Sequence, residues 1–401
     1  MKKILSHISG IFLALLIIHP IIDYRIPMMV NSWHWLYLVI ASSLFGFYLL
    51  WQDLSKPLKI LAVYLFVNAF FSQVPYLGFN AYIVIVFSFY FYLLTQKCEA
   101  DIILRWIETA FWVQVALSIF QIAGMDKLLC FDRAFELDEM TLQIRPISQD
   151  IPRYVMFGTV MQYMRYASLL AVMSPFLILK NKKYAFILIP LCLISESSTF
   201  ALSLITYFSV SYFFKIKNKR NLLFIYAPLA VLAAGLYAAY DWGSFRGAII
   251  PSNGGRLITW LVILKTWVMD TAHAVKIGPW DISGPFNWQW FLMGHGIDTF
   301  LPLFPIYKHD LNPFPQAHNS WLQMAWETGL IGAGLIIAYC ASLVRRLYRV
   351  KAFELIAGLS SFGVNMFFAF PDRMMQTCLL LVYYLAYCEV IILKRRFYEY
   401  S

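Results

Sequence analysis

Several side chains in this sequence stand where chemistry could be done. Arg256 lies in Gly254-Gly255-Arg256-Leu257-Ile258-Thr259-Trp260, opening an apolar helical stretch that runs to about Met269. Paired glycines let a backbone approach a ligand closely. A helix N-terminus offers free N–H groups to a phosphate, and an arginine stays ionised and can grip it with two parallel bonds. The plain alternative is an interfacial arginine that anchors a surface helix. His318 sits in Pro315-Gln316-Ala317-His318-Asn319-Ser320-Trp321-Leu322, at the start of a long apolar run. An imidazole there can serve as general base near neutral pH or orient a hydroxyl; it could equally bond only to backbone.

Glu327 follows in Glu327-Thr328-Gly329-Leu330-Ile331-Gly332, about 13 Å along a helix from His318. A carboxylate inside an apolar span is costly and so a candidate functional group, or it balances an arginine. Glycines 329, 332 and 334 predict a close helix-packing face. Arg165 falls near the middle of another apolar run. There it must face a protein interior, pairing with Glu108 or Glu196 or binding an anionic ligand. Arg105, near a span end, is expected to snorkel. His273, His295, His309, Asp298 and Asp310 match no metal-ligand spacing, and no nucleotide-binding glycine loop is present. Neither a cofactor nor a metal is implied.

The elements that must position these residues are membrane helices. Of 401 residues, 61% are hydrophobic and 13% charged, against about 25% charged in ordinary soluble domains. Mean hydropathy is +0.65, which excludes a soluble enzyme, a disordered chain and a disulfide scaffold. The net charge of +10 does not argue for nucleic acid, because the basic residues fall in short clusters between apolar runs, as topology signals do.

Spans are expected near 4–22, 31–51, 58–74, 76–95, 102–125, 154–179, 221–240, 318–343, 353–370 and 375–393. The stretch 184–214 has lysines on both flanks, so it must cross an even number of times. We read it as helices 184–195 and 198–214 turning at Ser195-Glu196-Ser197-Ser198-Thr199. This gives an all-α, polytopic membrane protein of about twelve transmembrane helices, with residues 1–401 as one transmembrane domain. Nineteen Lys/Arg then lie on segments sharing the side of Lys2 and Lys3, against eleven in the opposite loops. Both termini are expected to be cytoplasmic. The first span reads as uncleaved, since no small-residue cleavage site follows it. Cys192, Cys340, Cys378 and Cys388 fall in spans, Cys98 is cytoplasmic and only Cys130 lies in an outer loop, so no structural disulfide is expected.

Two outer loops are long enough to carry function. Residues 126–153 are acid-rich, and residues 241–317 lie between the ninth and tenth helices. The second loop holds Trp242, Trp260, Trp267, Trp280, Trp288 and Trp290, a residue type that settles at headgroup level.

Three elements of this region, with the catalytic region extending to about 338, are ordered as in a known family. They are Gly-Arg-x3-Trp at 255–260, Gly-x-Gly-x3-Phe at 294–300, and His-Asn-x2-Leu…Glu-x-Gly-x2-Gly at 318–332. The segment 254–338 resembles the signature region of the bacterial O-antigen ligase and polymerase superfamily. A fainter similarity covers Gly158 to Pro175 and the 184–214 hairpin, so about a third of the chain carries the likeness.

The resemblance implies a GT-C-like inverting glycosyltransferase of the inner membrane. It would use an undecaprenyl-diphosphate-linked glycan at the periplasmic face without a metal. Carried over by position, Arg256 would bind and neutralise the diphosphate and His318 would serve the acceptor hydroxyl. Asn319 and Glu327 would join in binding diphosphate or glycan. Family members often carry a Ser-Arg-Gly-like turn where this chain has Ser195-Glu196-Ser197-Ser198. The second cationic contact is therefore unassigned; Arg165 and Arg246 are candidates, with Arg153 behind them.

Two products fit. A polymerase passes the growing chain to the next lipid-linked repeat, and a ligase passes it to lipid A–core. The missing turn arginine leans toward polymerase, since the polymerases diverge most. A chain-length regulator is a candidate partner. From another class, a flippase for the same lipid-linked oligosaccharide also fits the span count, although the halves show no internal repeat.

Overall fold

The computed structural model describes residues 2–18, 51–123, 135–138, 143–146, 163–195, 197–216, 256–268, 275–278, 281–283, 285–300, 303, 317, 319–368 and 375–399. The expected spans 31–51 (all but its last residue) and 221–240 lie outside them, as do Arg153, Glu196, Arg246 and His318.

The described chain is predominantly helical. The α-helices are α1 (Lys2–Ile18), α2 (Lys56–Phe70), α3 (Pro75–Gln96), α4 (Ala100–Ile122), α5 (Tyr163–Lys180), α6 (Ala185–Ile194), α7 (Ser198–Phe213), α8 (Arg256–Val268), α9 (Trp288–Met293), α10 (Ser320–Arg349), α11 (Phe353–Phe368) and α12 (Met375–Glu399). Among the described residues, four segments are long and apolar enough to cross a membrane: α3, α4, α10 and Thr377–Arg395 of α12. Apolar stretches of α5, α7 and α11 are shorter. The two helices expected within 184–214 are present as α6 and α7, separated at Ser195 and Ser197.

Each of the two long segments 126–153 and 241–317 contains a short antiparallel strand pair. Residues 126–153 contain an antiparallel pair, β1 (Phe135–Asp138) with β2 (Gln143–Pro146), in register Phe135 to Pro146. Residues 241–317 contain β3 (Val275–Gly278) paired antiparallel with β4 (Asp281–Ser283). Water-facing segments can leave one side of a two-stranded ribbon unpaired, whereas a lipid-facing span cannot.

Two compact units form. The first comprises Met1–Ser55, Ile83–Tyr207 and Ser342–Ser401. In it α1 packs along α4, and α5 packs on α4, α11 and α12. Its outward surface is apolar: Ile4, Ile8, Ile11 and Leu15 recur at helical spacing on α1, and Phe186, Ile189 and Leu193 are exposed on α6. Its interior also carries polar groups, several of which bond within the bundle, as a low-dielectric environment favours. Gln114 Nε2 donates to the Ile17 carbonyl at 2.8 Å, and Ser118 and Tyr166 share a bond of 2.6 Å. Ser168 donates to Asn365 Oδ1 at 2.9 Å. Where α10 ends, Arg346 grips Glu389 with both guanidinium amines, at 2.5 and 2.6 Å.

The same unit corrects one expectation. Glu108 accepts from Lys180 and from the Tyr184 hydroxyl, so it is not held for Arg165. Lys180 terminates α5, about 22 Å along that helix from Arg165, and a lysine at a helix end reaches a carboxylate without burying its own charge deeply. Arg105 is exposed, in line with a snorkelling role.

The second unit comprises Lys56–Tyr82 and Phe208–Ala341. Its core is Ile263, Phe300, Ala317 and Trp326, with Trp260, Trp267, Leu303 and Leu322 packed around it. These residues come from α8, α10 and the segment between them, so the loop 241–317 contributes a folded core of its own.

Candidate functional site

The centre of the second unit is an interruption in α10. Gly329 has φ +66° and ψ −175° inside that helix, a backbone conformation essentially confined to glycine. Helix α10 therefore breaks one residue after Thr328, and of the expected glycine packing face Gly332 holds, a Cβ there standing 2.9 Å from Tyr64 Cε1 of α2. Gly329 is a kink, and a Cβ on Gly334 would meet nothing within 4 Å. A break inside an apolar helix exposes carbonyls that must be bonded elsewhere.

They are bonded by the Gly-x-Gly segment and by α2. The His295 amide donates to the Trp326 carbonyl at 3.0 Å and the Gly296 amide to the Glu327 carbonyl at 2.9 Å. Tyr64 Oη donates to the Thr328 carbonyl at 2.6 Å. Asn68 Nδ2 donates to the Met293 carbonyl at 2.5 Å, while its Oδ1 accepts from the Ile297 amide at 3.0 Å. Gly294, with φ +75°, lies so close to the break that a Cβ there would stand 2.5 Å from the Gly329 nitrogen and collide with the Glu327 carbonyl. The second and third sequence motifs are thus one backbone-to-backbone junction.

His295 fills the space beside it. Its ring stacks on Trp326 at 4.0 Å between centroids and tilts against Trp290 at 4.5 Å. Its Nε2–H donates to the Thr266 carbonyl at 3.1 Å, which fixes the neutral tautomer. Burial pushes its pKa down to about 3, the carbonyl bond opposing this only in part. His295 therefore holds α8 to the junction as a neutral imidazole; His273, His309 and Asp310 lie outside the described residues. Among the described residues no three His, Cys, Asp or Glu side chains converge.

The first motif enters through Trp260. Arg256 opens α8, and its side chain lies outside the described residues. One turn later, Trp260 Nε1 donates to the Ala317 carbonyl at 2.9 Å. Ala317 immediately precedes His318. Thr266, further along α8, accepts from Trp326 Nε1 at 3.2 Å. Helix α8 is thereby fastened to both ends of the first half of α10.

Asn319 is buried at the start of α10, and its Oδ1 accepts from the Leu322 amide at 3.0 Å, the bond of an N-cap residue. Glu327 is 4% exposed, and its carboxylate accepts from Gln323 Nε2 at 3.1 Å. Gln323 Oε1 in turn accepts from the Ala317 amide at 3.3 Å. Arg165 lies on α5 in the other unit, and its side chain, with Arg246 and His318 as a whole, is outside the described residues.

Sequence reasoning missed Asn68, Tyr64, Gln323 and His295 as junction residues. Asn68 was findable, as an amide inside an apolar run that must find partners in the protein. Gln323 was findable from its four-residue spacing to Glu327.

No family model matches this chain, and no curated protein matches it either.

Proposed function

We propose that this protein is an inner-membrane, inverting glycosyltransferase that moves an undecaprenyl-diphosphate-linked glycan onto a sugar hydroxyl at the periplasmic face. In this reading the chain is a GT-C-like membrane protein of about twelve spans with both termini cytoplasmic. One observation carries it: the three separated motifs converge in one unit. The helix opened by Arg256 bonds through Trp260 to the residue before His318, and Gly294 and Gly296 seat on the Glu327–Gly329 break. Residues 62 positions apart in sequence, Arg256 and His318, thus belong to elements joined by a direct hydrogen bond.

The chemistry follows from the residue types. The acceptor oxygen forms a bond to the anomeric carbon as the bond from that carbon to the phosphate oxygen breaks. The electron pair leaves on the diphosphate, and the hydroxyl proton passes to the His318 imidazole. Negative charge grows on the leaving oxygens, where Arg256 at a helix N-terminus stabilises it. Arg246, of the same unit, is the candidate for the second cation, while Asn319 and Glu327 shape the floor beneath. The acceptor is the next lipid-linked repeat, in a polymerase, or lipid A–core, in a ligase. The sequence at 195–198 favours the polymerase.

The test is the surface-glycan profile of a deletion strain rescued with wild type, Arg256→Ala or His318→Ala, each checked for expression. Core carrying a single repeat identifies a polymerase; long chains held on the carrier with bare core identify a ligase. Full rescue by both variants would overturn the assignment of these two residues. Lipid-linked repeat accumulating on the cytoplasmic face would make the protein a flippase instead.

A further inference from the structure

We infer that the break at Gly329 marks the outer surface of the bilayer: a collar of exposed aromatic side chains seats the second unit at headgroup level, and α10 enters the hydrocarbon only from Leu330 onward. The inference needs the membrane reading but not the glycosyl transfer proposed above.

The collar comes from two places in the second unit, and both abut the junction. Phe70 ends α2, Phe71 follows it, and Tyr76 stands in the first turn of α3. Between these helices the Gln73 amide donates to the His295 carbonyl at 3.0 Å, and Ser72 lies where a Cβ on Gly296 would collide. From the other side, α9 sets the Leu292 carbonyl against Gly329. Trp288 lies one turn earlier on α9, with the Phe286 ring edge-on to it at 4.6 Å. Trp288 is 67% exposed and Tyr76 75%, and Phe70, Phe71 and Phe286 are exposed too. The outward position is not general for tryptophan here. Trp260 and Trp267 donate to backbone carbonyls, and Trp290 packs on His295. Aromatic rings left outward in this way suit the boundary between lipid and water.

What covers the collar follows from α10. No residue from Ser320 to Gly329 is exposed, whereas Leu330, Ile331 and Ile337 are exposed beyond the break. That apolar stripe belongs to a helix able to span a membrane, and it begins where Leu292 meets Gly329. The collar and the lipid-facing stripe are therefore one continuous surface. Length agrees. Counted from Ser320, α10 would be about 44 Å long, but Leu330 to Arg349 rises only about 29 Å. Tyr76 to Gln96 of α3 rises about 30 Å, and each value matches one hydrocarbon core. Beyond the far ends or within them stand Arg345, Arg346 and Arg349, and Lys97, as on a cytoplasmic face. The junction then lies at the depth of the lipid phosphates.

The test is the depth of nitroxide labels on the full-length protein, freed of its native cysteines, in vesicles of phosphatidylethanolamine and phosphatidylglycerol. Collision with oxygen and with a water-soluble nickel chelate reports that depth. Labels at Tyr76→Cys, Gln289→Cys and Leu330→Cys should lie in the headgroup layer, about 5–8 Å thick, or at its base. A label at Ile337→Cys should lie about 10 Å deeper than the one at Leu330. Full nickel contact at Tyr76 and Gln289 would overturn the collar, leaving a water-facing surface free to bind sugar. Labels there shielded from both reagents would overturn it as well, since a protein partner or second copy would be covering them. A Leu330 label as deep as that at Ile337 would put the break inside the hydrocarbon. If the cysteine-free chain does not fold, native protein and Trp288→Phe decide the matter. The emission lost with Trp288 should be quenched more by lipids brominated near the headgroup than by lipids brominated deep in the acyl chain. Quenching by neither, or more by the deep bromine, would overturn the inference and leave the proposed function standing.

Discussion

At the scale of single residues, the histidine that chemistry would notice first and the one the structure describes are different. His295 sits between two tryptophans and donates to a backbone carbonyl. Its pKa falls from 6.5 to about 3 on burial, so the unfolded chain binds a proton that the folded chain refuses. Stability is complete above the unfolded value of 6.5 and declines as pH falls from there toward 3. The loss should be on the order of 1 kcal/mol per pH unit. Thermal aggregation of the detergent-solubilised protein, followed from pH 7.5 to 5, should show a falling midpoint, and His295→Gln should flatten that slope while retaining a donor to Thr266. An equal slope in both proteins would place the acid sensitivity elsewhere. The sequence shows the histidine but not its environment, because Trp290 is five residues away while Thr266 and Trp326 are about thirty away on either side.

At the scale of elements, the informative feature is a helix that is apolar throughout yet interrupted. Propensity and hydropathy both read Ser320–Arg349 as continuous, and its glycines as packing contacts. In the fold, Gly329 takes φ +66° and the freed carbonyls are taken up by Gly296, His295 and Tyr64. Gly329→Ala meets a backbone strain that alone costs about 1–3 kcal/mol, and its Cβ would also press on the Leu292 carbonyl and the Gly294 nitrogen. It should lower the midpoint of thermal aggregation clearly, whereas Gly334→Ala, which faces open space, should leave it nearly unchanged. Equal effects of the two would argue against the kink. The hairpin α6–α7 went the other way, its boundaries being legible from flanking lysines and the polar serines between them, both local signals.

At the scale of the whole molecule, the membrane reading rests on composition, on four helices able to span among the described residues and on apolar outward faces. Topology is the checkable consequence. In a chain freed of its native cysteines, Ser252→Cys should react with an impermeant maleimide in intact spheroplasts, and Ser401→Cys should react only after the membrane is opened. The reverse pattern would put the junction and its motifs on the cytoplasmic side, where a lipid-linked glycan exposed to the periplasm could not reach them.

What the sequence determined by itself was whatever depends on local composition. The membrane class, most helix positions, the α6–α7 turn and the grouping of the motifs in one stretch of chain were all readable, because hydropathy, basic clusters and glycine spacing act over a turn or two of chain. Only the tertiary structure decided that Glu108 belongs to Lys180, that His295 is a neutral strut, that Gly329 breaks its helix, and that Gln323 links the Ala317 amide to Glu327. Each of these turns on which distant backbone group lies within hydrogen-bond reach. In a low-dielectric interior every buried polar group must find such a partner, and the pairing is settled by the packing of whole helices, which no local pattern encodes.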